Sequence, residues 1–142
     1  METYLELKKR HKADIDNFPM FFAFSNEQLE EGKTKIGCES NEELVSIGAG
    51  GYIKKQDKQD FIDMMKQQEK EHFNNMLESD NKANYVYGMV QYELANHEFA
   101  YTYERADAIE ACGITKDMLE SYSDLNTVVN QAVSDYKVKV AM

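Results

Sequence analysis

The chain of 142 residues has a single proline, two cysteines, and no apolar run near the roughly 18 residues that a bilayer-spanning helix needs. A transmembrane segment is therefore not expected. Cys38 and Cys112 lie far apart and belong to no CxxC or Cys/His grouping. The opening METYLELKKRHK has no apolar stretch of the signal-peptide kind. Together these absences lead us to expect reduced thiols and a cytoplasmic setting. Repeats, linkers and low-complexity segments are also missing, so one globular domain over residues 1–142 is expected, long enough to bury a core without disulfides or metal.

Positive charge is in short supply: 16 Lys/Arg stand against 26 Asp/Glu, a formal net charge of -10. Residues 1–60 carry 9 basic against 12 acidic side chains, and residues 61–142 carry 7 against 14. The acid is thus concentrated toward the C-terminal side. Such a field repels nucleic acid and favours a basic partner, or simply keeps the chain in solution. The only basic run, Lys8 to Lys12, would wrap around a helix instead of forming a stripe, so direct nucleic-acid binding is not expected.

Apolar content is 42% and charged content 30%, which indicates a folded chain with a core rich in Met and aromatics. Residues 2–17 have near-helical apolar spacing that stops where Phe18 precedes Pro19. MFFAF, Met20 to Phe24, reads as a buried strand, and Ser25-x-x-Gln28 has capping-box form and opens a short helix ended by the Gly32 to Gly37 region. LVSI and YIKK flank GAGG as two strands around a turn, although Ser40-x-x-Glu43 also has the form of a cap. Two amphipathic helices follow, Asp57 to about Ser79 and Asn81 to about His97, and are expected to pair as a hairpin. FAYTY, Phe99 to Tyr103, alternates as a strand does; Gly113 and Thr115 then mark a helix end and a helix start, and LNTVVNQAVSDYKV gives a last helix. The expected fold class is α+β: a small antiparallel sheet packed with several helices, including a central helical hairpin.

Three constellations could carry chemistry. SIGAGGYIKKQD, Ser46 to Asp57, offers three glycines and two lysines as an anion nest might. Its spacing fails both phosphate-loop patterns, with Ile53 where a third glycine would stand, and the next helix starts too late to aim its N-terminus into the turn. A hairpin turn using positive φ is the better reading. Next, Glu69 and His72 fall on or beside the apolar arc of one hairpin helix, and Glu93 and His97 on that of the other. Carboxylate and imidazole on facing helices can ligate a metal, while the alternative is a hydrogen-bonded core cluster with neighbouring tyrosines. No nucleophile or oxyanion site can be placed beside them, and no cofactor is expected. Last, Glu93, Glu98, Glu104, Asp107, Glu110, Asp117, Glu120 and Asp124, with only Arg105 and Lys116 among them, could form a surface that copies the charge density of nucleic acid.

NFPMFFAFSNEQLEEG, SIGAGGYI, YELANHEFAYTYE and ACGITKDMLESYSDL, in that order, resemble a family of small uncharacterised proteins carried by tailed phages and mobile elements of gut bacteria. The resemblance spans about Asp16 to Asp135 and carries over no catalytic residue. It implies a bacterial cytoplasm and an accessory gene. The expected function is a non-enzymatic protein that binds and inhibits a host protein, in the manner of an anti-CRISPR or other anti-defence inhibitor, with a nucleic-acid-binding immune effector as the kind of partner. The alternatives are a metal-binding or enzymatic domain built on the Glu/His pairs, and a phage structural or assembly component.

Overall fold

The computed structural model describes residues 2–141 and has an α+β fold. In chain order the elements are α1 Tyr4–Asp16, β1 Met20–Phe22, α2 Asn26–Ile36, β2 Leu44–Gly48, β3 Gly51–Lys54, α3 Lys58–Leu77, α4 Lys82–Asn96, α5 Phe99–Thr102, α6 Ala106–Ala111, α7 Lys116–Ser121 and α8 Ser123–Ala141. The chain forms two compact units: Arg10–Lys70, and the described residues through Lys9 together with those from Glu71 onward.

In the Arg10–Lys70 unit the sheet is antiparallel with strand order β1-β3-β2. Phe21 pairs with Tyr52, and Leu44 with Lys54, so one face presents Phe21, Ala23, Tyr52 and Leu44. α2 covers that face, adding Ile36 and Leu29, while buried Cys38 follows its C-cap. Ser25 caps α2 by accepting the Gln28 N–H, and Gly37 closes it in the left-handed conformation. The helix therefore runs through Gly32 and ends at Gly37, the far end of the expected Gly32 to Gly37 region. A Cβ at Gly32 would stand 2.0 Å from a ring carbon of Phe21, so this glycine is retained for helix-to-strand approach and not as a terminator. The Ala49-Gly50 turn joins β2 to β3 with positive φ at both positions, 53° and 82°, as a two-residue hairpin of the primed type requires. Three residues, Lys55–Asp57, separate β3 from α3, so the glycines make a hairpin, as their spacing predicts.

In the other unit α4 and α8 pack most extensively on one another, with α6 also against α4. α4 buries Tyr85, Val86, Met89, Val90, Glu93 and Leu94, a broad arc at helical spacing, and α8 answers with Leu125, Val129, Ala132, Val133 and Tyr136. Each fully buried Val, Leu or Met of this set stabilises the fold by about 1.5–3 kcal/mol. The start of α1 belongs here. Thr3 and Glu6 form a reciprocal capping box, each side chain accepting the other's main-chain N–H at 3.2 and 3.0 Å, and the Thr3 N–H, then its hydroxyl, hold the Glu6 carboxyl below its ordinary pKa. Tyr4 and Leu7 on the next turn are buried in the same core.

FAYTY is not a strand. Its backbone closes one helical turn, with Tyr103 N–H on the Phe99 carbonyl at 2.8 Å, bracketed by Glu98 and Tyr103 at φ of 55° and 56°. The apparent alternation has no sheet face behind it: Phe99 is 1% exposed, whereas Tyr101 and Tyr103 point outward at 86% and 59%.

Candidate functional site

The Glu/His residues divide by environment. Glu93 is 4% exposed within α4 and accepts a hydrogen bond from the Tyr4 hydroxyl at 3.3 Å. Asn96 Nδ2 and His97 Nε2 each lie 3.5 Å from its carboxyl oxygens. His72, on the last part of α3, has Nε2 at 2.8 Å from the Cys112 carbonyl and Nδ1 at 2.7 Å from the Tyr85 hydroxyl. A carbonyl only accepts, so Nε2 carries the proton, and in the neutral ring Nδ1 accepts from Tyr85. Both ring nitrogens are thus engaged. Tyr4 links the two groups, its ring 5.9 Å from those of His72 and Tyr85 and 6.0 Å from that of Tyr92. Glu69 belongs to the Arg10–Lys70 unit and is exposed. Among the described residues no group of three or more His, Cys, Asp or Glu side chains is gathered as a metal requires. The four residues are thus not one cluster; Glu93, His97 and His72 serve a hydrogen-bonded core.

That core moves its titratable groups in one direction. Burial, then the neighbouring Glu93 charge, raises the Tyr4 hydroxyl well above the tyrosine range, and burial does the same for Tyr85. Cys112, 1% exposed, is pushed up to about 12, again first by burial and then by Glu93. A thiol held protonated is a poor nucleophile.

Of the acidic residues expected to form a surface, all but one lie exposed. Burial removes Glu93 from any surface, because a carboxyl satisfied by Tyr4 inside the core cannot face a partner. Glu98, Glu104, Asp107, Glu110, Asp117, Glu120 and Asp124 are all exposed. Two have internal duties: Glu104 accepts the Ala106 N–H at 3.4 Å at the start of α6, and Asp124 pairs with Lys82 at 2.8 Å, which lowers its own pKa and raises that of the lysine. Arg105 among them donates from its guanidinium to Asn130 Oδ1 at 2.9 Å.

A family profile matches residues 3–135. The chain belongs to a family of unknown function, DUF7659. No curated protein and no solved structure matches it. The DUF7659 match begins ahead of Tyr4 and ends at Asp135, so it takes in the Tyr4–Glu93 pair, the His72 bonds and every exposed acid above. What sequence reading missed in this DUF7659 chain is the pair of outward tyrosines, Tyr101 and Tyr103, standing among Glu98, Glu104 and Asp107. Their signal in the sequence is the aromatic alternation of Phe99, Tyr101 and Tyr103, which has the form of a strand. No described helix is long and apolar enough to cross a membrane.

Proposed function

We propose that the protein is a non-enzymatic binding protein that docks on a basic partner through the exposed acids and tyrosines between Glu98 and Asp124. The observation that supports this reading is the contrast at Glu98–Asp107. Phe99 alone is buried there, Tyr101 and Tyr103 turn outward with only an edge contact of Tyr103 on the Phe99 ring, and Glu98, Glu104 and Asp107 stand exposed beside them. Tyrosine flanked by carboxylates suits a surface rich in Lys and Arg, through ion pairing at the rim and cation–π contact on the rings. Glu98 and Tyr103 also hold left-handed backbone without being glycine, a conformation that carries a cost of about 1–3 kcal/mol each and concentrates at functional segments.

The setting implied by the resemblance, an accessory gene of a phage or mobile element in a bacterial host, gives the partner a class. We read it as a host immune effector whose basic nucleic-acid channel the acids occupy, an anti-CRISPR or related anti-defence inhibition. The test is capture of partners from bacterial lysate, with and without nuclease, followed by binding of the purified pair. Binding should survive nuclease, weaken about tenfold or more as salt rises through several hundred millimolar, and be lost when Glu98, Asp107, Glu110 and Glu120 are changed to Lys. The matched control reverses Glu27, Glu39, Glu42 and Asp60. Binding that ignores salt, or that falls equally in the control, overturns the acidic-surface reading, and recovery of the protein in purified virions would assign it to the particle instead.

A further inference from the structure

The two edges of the sheet are built differently. Along β2 the ladder slips between Ser46 and Gly48, and a bulge of this kind bends a strand and blunts its outer edge. Along β1 the register is regular, Met20 with Ile53, Phe21 with Tyr52, Phe22 with Gly51. The Ala23 N–H donates to the Gly50 carbonyl at 2.9 Å, which fixes the alternation: Phe21 turns its main-chain groups toward β3, and Met20 and Phe22 turn theirs outward. The next outward donor, the Phe24 N–H, is already taken by Gln28 Oε1 at 2.7 Å. On the other side of the strand the preceding outward donor, the Phe18 N–H, is bonded to the Ile15 carbonyl at 3.1 Å. The open edge is therefore limited to Met20 and Phe22, and Phe22 is 56% exposed. Beside it lies a groove of about 480 Å³ lined by Ile15, Met20 and Phe22 together with Asp16, Glu31 and Lys35.

We propose that this edge pairs with a second copy of the chain, β1 against β1 antiparallel about a two-fold axis through Phe21. In that register Met20 of each copy stands opposite Phe22 of the other, both as hydrogen-bonded pairs, so every outward N–H and C=O of the two strands is used. Three observations choose a second copy over an unrelated segment. The bond from Gln28 to Phe24 stops the edge after three residues, the length of β1 itself. The groove carries both charge signs, so a two-fold axis can set Lys35 of one copy against Asp16 or Glu31 of the other. The unit that holds β1 has 9 Lys/Arg against 12 Asp/Glu, only -3 of the net -10, so self-repulsion is least on this side of the chain.

The test uses the full chain. Sedimentation velocity from about 10 μM to 1 mM should show a monomer–dimer equilibrium, as suits a small interface. Over the same range amide exchange at Met20 and Phe22 should slow about tenfold or more, while the Phe24 amide, bonded to Gln28 in each copy, stays constant. Phe22→Lys should weaken the dimer by about tenfold or more, and Val138→Lys, which places the same charge on an exposed site of α8, should not. A chain that stays monomeric throughout, exchange that slows elsewhere but not at Met20 and Phe22, or a dimer equally stable in Phe22→Lys overturns the proposal. The wild-type exchange data decide the matter even where the Lys variant fails to fold.

Discussion

Replacing glycine by alanine inside a helix normally stabilises a protein by about 1 kcal/mol, because glycine loses the most backbone freedom on folding. Two helical glycines here predict opposite outcomes for that one change. At Gly88, exposed in the middle of α4, an added Cβ meets nothing within 4 Å, so Gly88→Ala should stabilise by about 1 kcal/mol. At Gly32 the same methyl would lie 2.0, 2.3 and 2.4 Å from three carbons of the Phe21 ring. That ring is 5% exposed and stacked on Tyr52 at 5.5 Å, so it has nowhere nearby to go. Overpacking of this kind costs about 3 kcal/mol when the backbone must yield, and subtracting the helical gain leaves Gly32→Ala about 2 kcal/mol less stable. Thermal and urea unfolding followed by circular dichroism measure both; at about 4 °C per kcal/mol for a chain of this size, Gly88→Ala should melt higher by about 4 °C and Gly32→Ala lower by about 8 °C. A stabilised Gly32→Ala would refute the close approach of α2 to β1.

Other expectations follow from the buried polar core. Tyr4→Phe removes the hydroxyl that donates to Glu93 over 3.3 Å and should lower stability by about 1–2 kcal/mol in urea unfolding at neutral pH; an unchanged midpoint would mean the bond contributes nothing. The Cys112 thiol, raised by burial from 9.0 to about 12, keeps its proton in the folded state while the unfolded chain ionises. Its contribution is therefore full below pH 9 and is lost as pH rises from 9 toward 12, about 3 kcal/mol by pH 11, so the stability gap between wild type and Cys112→Ala should narrow by about that amount between pH 8 and pH 11. A gap independent of pH would contradict the assigned burial. Addition of Zn²⁺ or Mn²⁺ should leave the melting temperature unchanged, since Glu69, His72, Glu93 and His97 are not assembled; a saturable rise would reopen a metal site.

Local chemistry was the legible part of the fold. Ser25, Thr115, Gly37 and Gly113 mark helix ends in sequence and do so in space, because a cap depends on residues within one turn of it. The glycine hairpin was legible for the same reason. The role of Gly32 within that helix is not legible in the same way, because it is set by a neighbour eleven residues earlier, Phe21, which no window on α2 contains. FAYTY was misread because left-handed backbone at Glu98 and Tyr103 leaves no compositional mark, so the alternation of Phe99, Tyr101 and Tyr103 stood without its context. Of the candidate site, helical periodicity put Glu93 toward the core correctly, whereas counting acids along the chain put the same residue on a surface; burial decides between them. The engagement of His72 by Tyr85 and the Cys112 carbonyl joins three separate elements and could not be read from spacing on one helix.

Cys38 and Cys112 are both buried and unbridged, and each compact unit contains one of them. A thiol reagent reaches Cys112, 1% exposed, only after its surroundings open, whereas Cys38 also lines a groove with Glu42, Glu43 and Lys54. The protein thus carries an internal clock in its helical unit: in Cys38→Ala the labelling rate times the opening of the core around α4. A rate equal to that of global unfolding would mark the loss of this core as one event with it, and a faster rate would show that the core comes apart by itself.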